Sequence, residues 1–407
     1  ETLPPGIRIH GVTTEELAIA KLERAALRLR NRLRARAAGS GSNDASPAAP
    51  APAVPRRPGT IAKHEIRWLA GGRGVIRAYN VLLDYAEERS WCRGAAAIGL
   101  RQSRRERPDV IVTCGPPHLI HDYGRRLAKQ LDVPFVMDLR DPWSLQVRLP
   151  EHLASPLWYR MATRFERRSV RAASLVVMNT ANAEAAMRSR WPEANVISVM
   201  NGWDDEPLPT APWPSQFRVL YAGSIYLDRS PRPWFLAVAQ AVRELGVRPE
   251  EFEVRLIGAV DSYGGTSVKQ LAEEAGVGPY VRLMPPVTRS QILAEYAEAA
   301  VLLSLPQDSE TAIPSKIFEY ARQPAWLLAQ VTPTSATGML LQGTSATILA
   351  PDDIQGAAEF LVDAYRRFRR GERPEPIARE GRWSRASEGK RLFDALDAIV
   401  DRKRGQA

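Results

Sequence analysis

The chain has 407 residues, 44% of them hydrophobic, which is enough to build the cores of two ordinary domains. Its apolar runs fall short of the roughly 20 residues that cross a bilayer, and two cysteines, Cys92 and Cys114, exclude a disulfide framework and a zinc cluster. A formal charge of +10, with a pI near 9.8, favours anionic partners: nucleic acid, acidic lipid or phosphorylated substrates.

With no secretory leader visible, these features predict a cytoplasmic protein. Gly6-Ile7-Arg8-Ile9-His10-Gly11 reads as a strand, and residues 13–38 as a helix that Thr13 or Thr14 caps, with Leu22, Leu29 and Leu33 on one face. The helix is basic over 21–36, where Lys21, Arg24, Arg28, Arg30, Arg32, Arg34 and Arg36 meet only Glu23. That pattern suits the inner face of an anionic membrane, and it suits a solvated surface helix equally. Residues 39–60, rich in Gly, Ser, Pro and Ala, read as a flexible linker.

Strands and helices then alternate. Strands are predicted at 109–113, 134–138, 174–178 and 196–200, with helices at 119–131, 157–173 and 183–190 between them, the pattern of a parallel sheet. The turn-rich stretch 201–215 marks a boundary. A second series follows, with strands at 217–222, 252–257, 280–283, 300–305, 325–329 and 346–349 and helices at 232–245 and 289–299. The expected organisation is an α/β chain with two doubly wound domains, 1–205 and 206–385, facing a cleft at the carboxyl ends of their strands. A final helix lies within 386–407.

Four segments at strand ends carry candidate chemistry. Glu310, Lys316 and Glu319 surround a strand-to-helix junction, with Pro314 or Ser315 at the helix start, where free backbone N–H groups and a lysine attract phosphate. Tyr221-Ala222-Gly223-Ser224 follows a strand, and its glycine lets a ligand approach the backbone; Arg229 and Arg232 come next. In Gly115-Pro116-Pro117-His118-Leu119-Ile120-His121 a histidine can contact sugar or phosphate, although helix-start histidines are more often surface residues. In Asp138-Leu139-Arg140-Asp141-Pro142-Trp143 two carboxylates and an arginine crowd a strand end, where charge is costly unless paired or used. No Walker A, His-Glu-x-x-His or Gly-x-Gly-x-x-Gly pattern follows a strand, so the marks of nucleotide hydrolysis and dinucleotide oxidation are missing.

From about Arg107 onward, these residues resemble the retaining GT-B glycosyltransferases of family 4, in particular the bacterial branch acting in cell-surface polysaccharide and glycolipid assembly. The markers are Pro108-Asp109-Val110-Ile111, Gly115-Pro116-Pro117, Asp138 to Trp143, Asn201-Gly202-Trp203-Asp204, Tyr221 to Ser224, Leu256-Ile257-Gly258 and Ile313 to Tyr320. The resemblance implies a C-terminal domain that holds a nucleotide-diphosphate sugar as co-substrate, without a cofactor and without a metal. It implies that Glu319 accepts hydrogen bonds from the ribose, that Arg229 and Lys316 neutralise the diphosphate, and that Glu310 touches the sugar. Gly223 and Ser224 would let the backbone approach the phosphates, Pro286 and Val287 would flank the base, and Gly258 and Ser315 would join the donor site. On the N-terminal side, His118, Asp138, Arg140 and Asp141 would meet a glycan or lipid-linked acceptor, and the final helix would cross back to that domain.

Two departures accompany this resemblance. Glu310 and Glu319 stand one residue further apart than the family's usual glutamate pair. The first strand and glycine-rich loop expected of a GT-B chain are missing ahead of Gly6. The leading expectation is a metal-independent hexosyl transfer to a membrane-associated or polysaccharide acceptor. A nucleotide-sugar 2-epimerase and a degenerate GT-B binding protein are the alternatives, and nucleic-acid binding comes last because the basic residues are not interleaved with aromatics.

Overall fold

The computed structural model describes residues 7–12, 60–67, 72–141, 143–209, 214–226, 229–306 and 310–405. The helix expected at 13–38 and, Thr60 apart, the linker expected at 39–60 lie outside the described residues. The chain gathers into two compact units. The first draws on the chain up to Val177, on Trp191–Val196 and on the chain from Ala398; the second comprises Met178–Arg190 and Ile197–Asp397.

In the first unit, β1 (Thr60–Ala62) pairs antiparallel with β4 (Arg148–Pro150). The main sheet has the order β2-β3-β5-β6, from strands Ile111–Gly115, Phe135–Leu139, Leu175–Met178 and Val196–Ser198. β3 and β5 are almost wholly apolar because helices cover the sheet, so that alternation gives way to continuous hydrophobic runs. The 32-residue helix Gly72–Ser103 packs against the helix Ile120–Leu131. Their approach is close at Gly99, where a Cβ would meet Leu127 at 2.9 Å. The strand expected at 6–11 does not form over its described residues, 7–11. Ile7 and Ile9 are exposed, and a strand requires a neighbour to take its backbone hydrogen bonds.

The second unit is built on six parallel strands in the order β11-β8-β7-β12-β13-β14. They are Val281–Met284, Phe252–Ile257, Phe217–Ala222, Val301–Ser304, Trp326–Gln330 and Thr347–Leu349; the short strands β9 (Ser262–Tyr263) and β10 (Thr266–Ser267) form a separate hairpin. Period-two alternation within β7 divides its side chains between two cores. Phe217, Val219 and Tyr221 join Trp234, Phe235 and Leu361 on one face, while Leu220 and Ala222 join Ile317, Phe318 and Tyr320 on the other. Each large side chain so buried contributes roughly 1.5–3 kcal/mol of transfer free energy. The helices Arg232–Leu245 and Ile354–Arg369 cover the first face, and Arg289–Ala297, Ser315–Ala321 and Ala336–Leu341 the second.

Candidate functional site

The carboxyl ends of β7, β8 and β12 place the second unit's candidate residues. β7 ends at Ala222 and β8 at Ile257, and each runs into a glycine with positive φ, +145° at Gly223 and +130° at Gly258. Gly223 N donates to Ile257 O at 2.8 Å, which brings the two turns together. A Cβ on Gly258 would fall 2.1 Å from Gly223 O, so glycine is required there for close approach as well as for backbone conformation.

Lys316 lies in the first turn of the helix Ser315–Ala321 and reaches back to this turn. Its Nζ donates to Ala222 O at 3.1 Å and stands 3.8 Å from the centre of the Tyr221 ring. A Cβ on Gly223 would lie 3.3 Å from the same nitrogen. Burial, with the neighbouring Arg229 charge adding to it, pushes the Lys316 ammonium well below the usual lysine range. Arg229 stacks on Tyr226, with its guanidinium carbon 4.4 Å from the ring centre, and donates to Ser224 O at 3.2 Å; Tyr221 Oη donates to the same carbonyl at 2.8 Å. Two cations thus converge on the Gly223-Ser224 turn.

Glu319, on the same helix, is buried. Its Oε1 accepts from Arg289 Nη2 at 2.8 Å, and its Oε2 has Arg322 at 4.0 Å but no hydrogen bond. Arg289 also holds Glu206. Arg289 opens the helix that follows Pro286 and Val287, so the turn after β11 is tied to Glu319. Asp204, Glu206 and Glu319 bring carboxylate oxygens within 4.8 Å of one another, a spacing that could suit a metal ion. Arg385 grips Asp204 at 2.9 Å, and Arg289 bridges the other two, so the three charges are already met by guanidinium groups.

Glu310 is exposed. Its carboxylate accepts from Thr332 Oγ1 at 2.7 Å, and the loop that carries it is held by Thr180, which donates to Thr311 O at 2.6 Å, and by Asn182. Ser315 is exposed at the helix start.

In the first unit, His118 and His121 are both buried rather than at the surface, 5% and 0% exposed. His118 stacks on Trp143 at 5.3 Å, and His121 Nδ1 shares a hydrogen bond with Thr113 Oγ1 at 2.8 Å. Burial lowers His118 to a pKa of about 4 and, with His118 beside it, His121 to about 3. Gly115 faces both rings: a Cβ there would lie 2.7 Å from His118 Nδ1 and His121 Nε2. The strand end after β3 is less crowded than its sequence suggested. Asp138 accepts from Cys114 Sγ at 3.2 Å and has Arg140 Nε at 4.0 Å, while Arg140 and Asp141 are exposed.

No protein-family model matches the chain, and no curated protein sequence matches it. In structure it is similar to Alr3699/HepE of Anabaena in complex with UDP and glucose, at 17% identity and a TM-score of 0.53, over 74% of this chain and 81% of that one. Against the same protein in complex with UDP-glucose the identity is 17% and the TM-score 0.52, over 75% and 82%. The GtfA/B complex is similar over 75% of this chain and 61% of that chain, with a TM-score of 0.50 and 11% identity. The fold is GT-B.

Within this GT-B chain, Gly223, Gly258, Lys316 and Arg229 lie together, and Glu310 is held separately by Thr332. Sequence reasoning missed Tyr221, Tyr320, Arg289 and Glu206. Tyr320 Oη accepts from Ala222 N at 3.0 Å, pinning the helix that carries Lys316 and Glu319 to the end of β7. A tyrosine inside an apolar run gives no hint of such a role. The Asn201-Gly202-Trp203-Asp204 motif did offer a signal, since Arg322 stacks on Trp203 at 4.3 Å and donates to the carbonyls of Asp204 and Glu206. Among the described residues, no helix is long and apolar enough to cross a membrane.

Proposed function

We propose that this protein is a retaining glycosyltransferase of the family 4 type, moving a sugar from a nucleotide-diphosphate sugar to a membrane-associated or polysaccharide acceptor. The observation that carries this reading is the convergence of Lys316 and Arg229 on the Gly223-Ser224 turn, beside Gly258. Two cations around a backbone turn stripped of Cβ atoms suit a diphosphate. The structural likeness to HepE, which was captured with UDP and with UDP-glucose, supports the same class of donor.

In this reading Glu319 accepts hydrogen bonds from the ribose hydroxyls, its free Oε2 being the available acceptor, and Pro286 and Val287 flank the base. As the bond from the anomeric carbon to the diphosphate breaks, negative charge grows on the leaving oxygens. Arg229 and Lys316 stabilise that charge more in the transition state than in the ground state, which is what accelerates the step. Ser315 assists at the phosphate, and Glu310 contacts sugar hydroxyls. His118, Asp138, Arg140 and Asp141 are assigned to the acceptor. The cationic side chains do the work of neutralising the leaving group, so the proposal requires no divalent metal.

A thermal-shift screen of UDP, GDP, ADP and their sugars tests the reading, because a ligand of the native state raises the melting temperature by mass action. A rise is expected with one nucleotide series, abolished by Glu319→Ala and by Lys316→Ala. No rise with any of them, or an unchanged rise in both variants, overturns the assignment. Proton NMR of the anomeric signal during turnover then distinguishes retention from inversion.

A further inference from the structure

The first unit carries a second cationic feature that the donor chemistry does not use. The helix Pro156–Val170 is capped by Ser155, whose Oγ accepts from Leu157 N at 3.3 Å. Its inner face is anchored by Glu166, buried and satisfied: Ser144 donates from N at 2.8 Å and from Oγ at 2.6 Å, and Trp191 Nε1 donates at 2.9 Å. The opposite face carries Arg160, Arg164, Arg167 and Arg168, all exposed and spaced to lie on one side of the helix. With Lys63 and Tyr159 they line an open cleft of about 680 Å³. Lys63 Nζ stands 4.8 Å from the centre of the Tyr159 ring, and Tyr159 Oη is held by Gln146 O at 3.0 Å, so the rim is built rather than loose.

An exposed apolar side chain stands beside this rim. Val147, whose carbonyl accepts from Lys63 N at 2.8 Å, is 49% exposed. The helix Gly72–Ser103 packs on the arginine helix through the Tyr85–Phe165 stack, at 5.7 Å. Guanidinium groups of one sign, an amphipathic tyrosine and an exposed valine match the boundary between phosphate headgroups and acyl chains.

We propose that this arginine-lined cleft is the surface by which the first unit docks on an anionic lipid bilayer. The inference deepens the membrane-associated part of the proposed function and rests on it. It assigns the contact to Arg160, Arg164, Arg167 and Arg168 rather than to the basic segment 21–36. Near an anionic surface each arginine is worth on the order of a fivefold gain in partition, falling off with salt.

The test is co-sedimentation of the full chain with vesicles of phosphatidylglycerol and phosphatidylcholine, and with phosphatidylcholine alone. Binding is expected only to the anionic vesicles. Arg164→Gln/Arg168→Gln should lower it about thirtyfold, with an unchanged melting temperature and unchanged UDP binding, whereas Arg24→Gln/Arg28→Gln should lower it far less. UDP binding measured on the same samples separates failure of the donor reading from failure of this one. Equal vesicle binding by the Arg164 and Arg168 variant overturns the proposal, as does a loss confined to the Arg24 and Arg28 variant. A third result would also overturn it: stabilisation by inorganic pyrophosphate that needs Arg164 and Arg168, without vesicle binding, which would make the cleft a soluble-phosphate site.

Discussion

A Cβ on Gly258 would stand 2.1 Å from the carbonyl oxygen of Gly223. These glycines end adjacent parallel strands, and their mutual approach shapes the turn toward which Lys316 and Arg229 point. Gly258→Ala would meet both a forbidden contact and a backbone conformation that costs roughly 1–3 kcal/mol for an L residue. We expect a clear fall in melting temperature and loss of nucleotide binding. Gly371→Ala is the control, since its φ is +76° but nothing lies within 4 Å; there we expect a cost of about 1 kcal/mol and unaltered binding. Thermal melts and nucleoside-diphosphate titrations of both variants decide the matter.

Lys316 should bind anion and proton together. Its ammonium is held well below the usual lysine range by burial and by Arg229, so a diphosphate placed beside it restores the charge. Below that lowered pKa the free lysine is already charged and binding of a nucleoside diphosphate takes up no proton; above it, binding takes up a proton and affinity falls as pH rises. Calorimetry in buffers of differing ionisation enthalpy reads this directly, and Lys316→Met should remove both the pH dependence and at least about tenfold of affinity.

Arg289 is expected to matter through Glu319. Its fork spans Glu206 and Glu319, which a lysine's point charge cannot reproduce. Arg289→Ala leaves the buried Glu319 carboxylate with only Arg322 at 4.0 Å. Because Arg289 is itself half-exposed, the stability loss should be modest, about 1–2 kcal/mol. Nucleoside-diphosphate affinity should drop several-fold, with partial recovery in Arg289→Lys. Denaturant melts and isothermal titration of the three proteins check both parts.

His118 and His121 should make the protein acid-sensitive. Their folded-state pKa values, near 4 and 3, lie below the ordinary histidine value near 6.5. Over that window the unfolded chain binds more protons than the folded one. The stability is therefore complete above about pH 6.5 and is lost as pH falls toward 4, with His118 accounting for on the order of 3 kcal/mol. Glu88 works in the opposite sense. Burial and Asp84 raise its carboxyl to about 7, so its contribution declines as pH rises from the ordinary glutamate value toward 7. The slope between pH 4 and 6.5 should flatten in His118→Gln, as measured by urea melts across that range.

The βα periodicity of the second unit was readable because each signal is local. β7, β8 and the helix Arg232–Leu245 occupy the predicted residues, since buried parallel strands write themselves as short continuous apolar runs between turn formers. The helix Gly72–Ser103 was not readable. Over its 32 residues only Val81, Tyr85 and Cys92 are buried, and glycines interrupt it, so no apolar stripe declares it. The candidate site divides in the same way. Gly223, Gly258 and Lys316 sit at strand ends and a helix start, where position along the chain already implies a role. Arg289 and Glu319 lie 30 residues apart with no pattern connecting them, and nothing in the sequence pairs Glu310 with Thr332, whose hydroxyl donates to its carboxylate.

The sequence by itself determined the α/β class, the order of most elements and the strand-end glycines, because hydrophobic period and backbone permissiveness are properties of neighbouring residues. Only the tertiary structure decided which charges meet. Whether Lys316 reaches Ala222, Arg289 bridges Glu206 to Glu319, or His118 disappears beneath Trp143 depends on which strand ends lie side by side. That adjacency is set by packing across the sheet, between residues far apart along the chain.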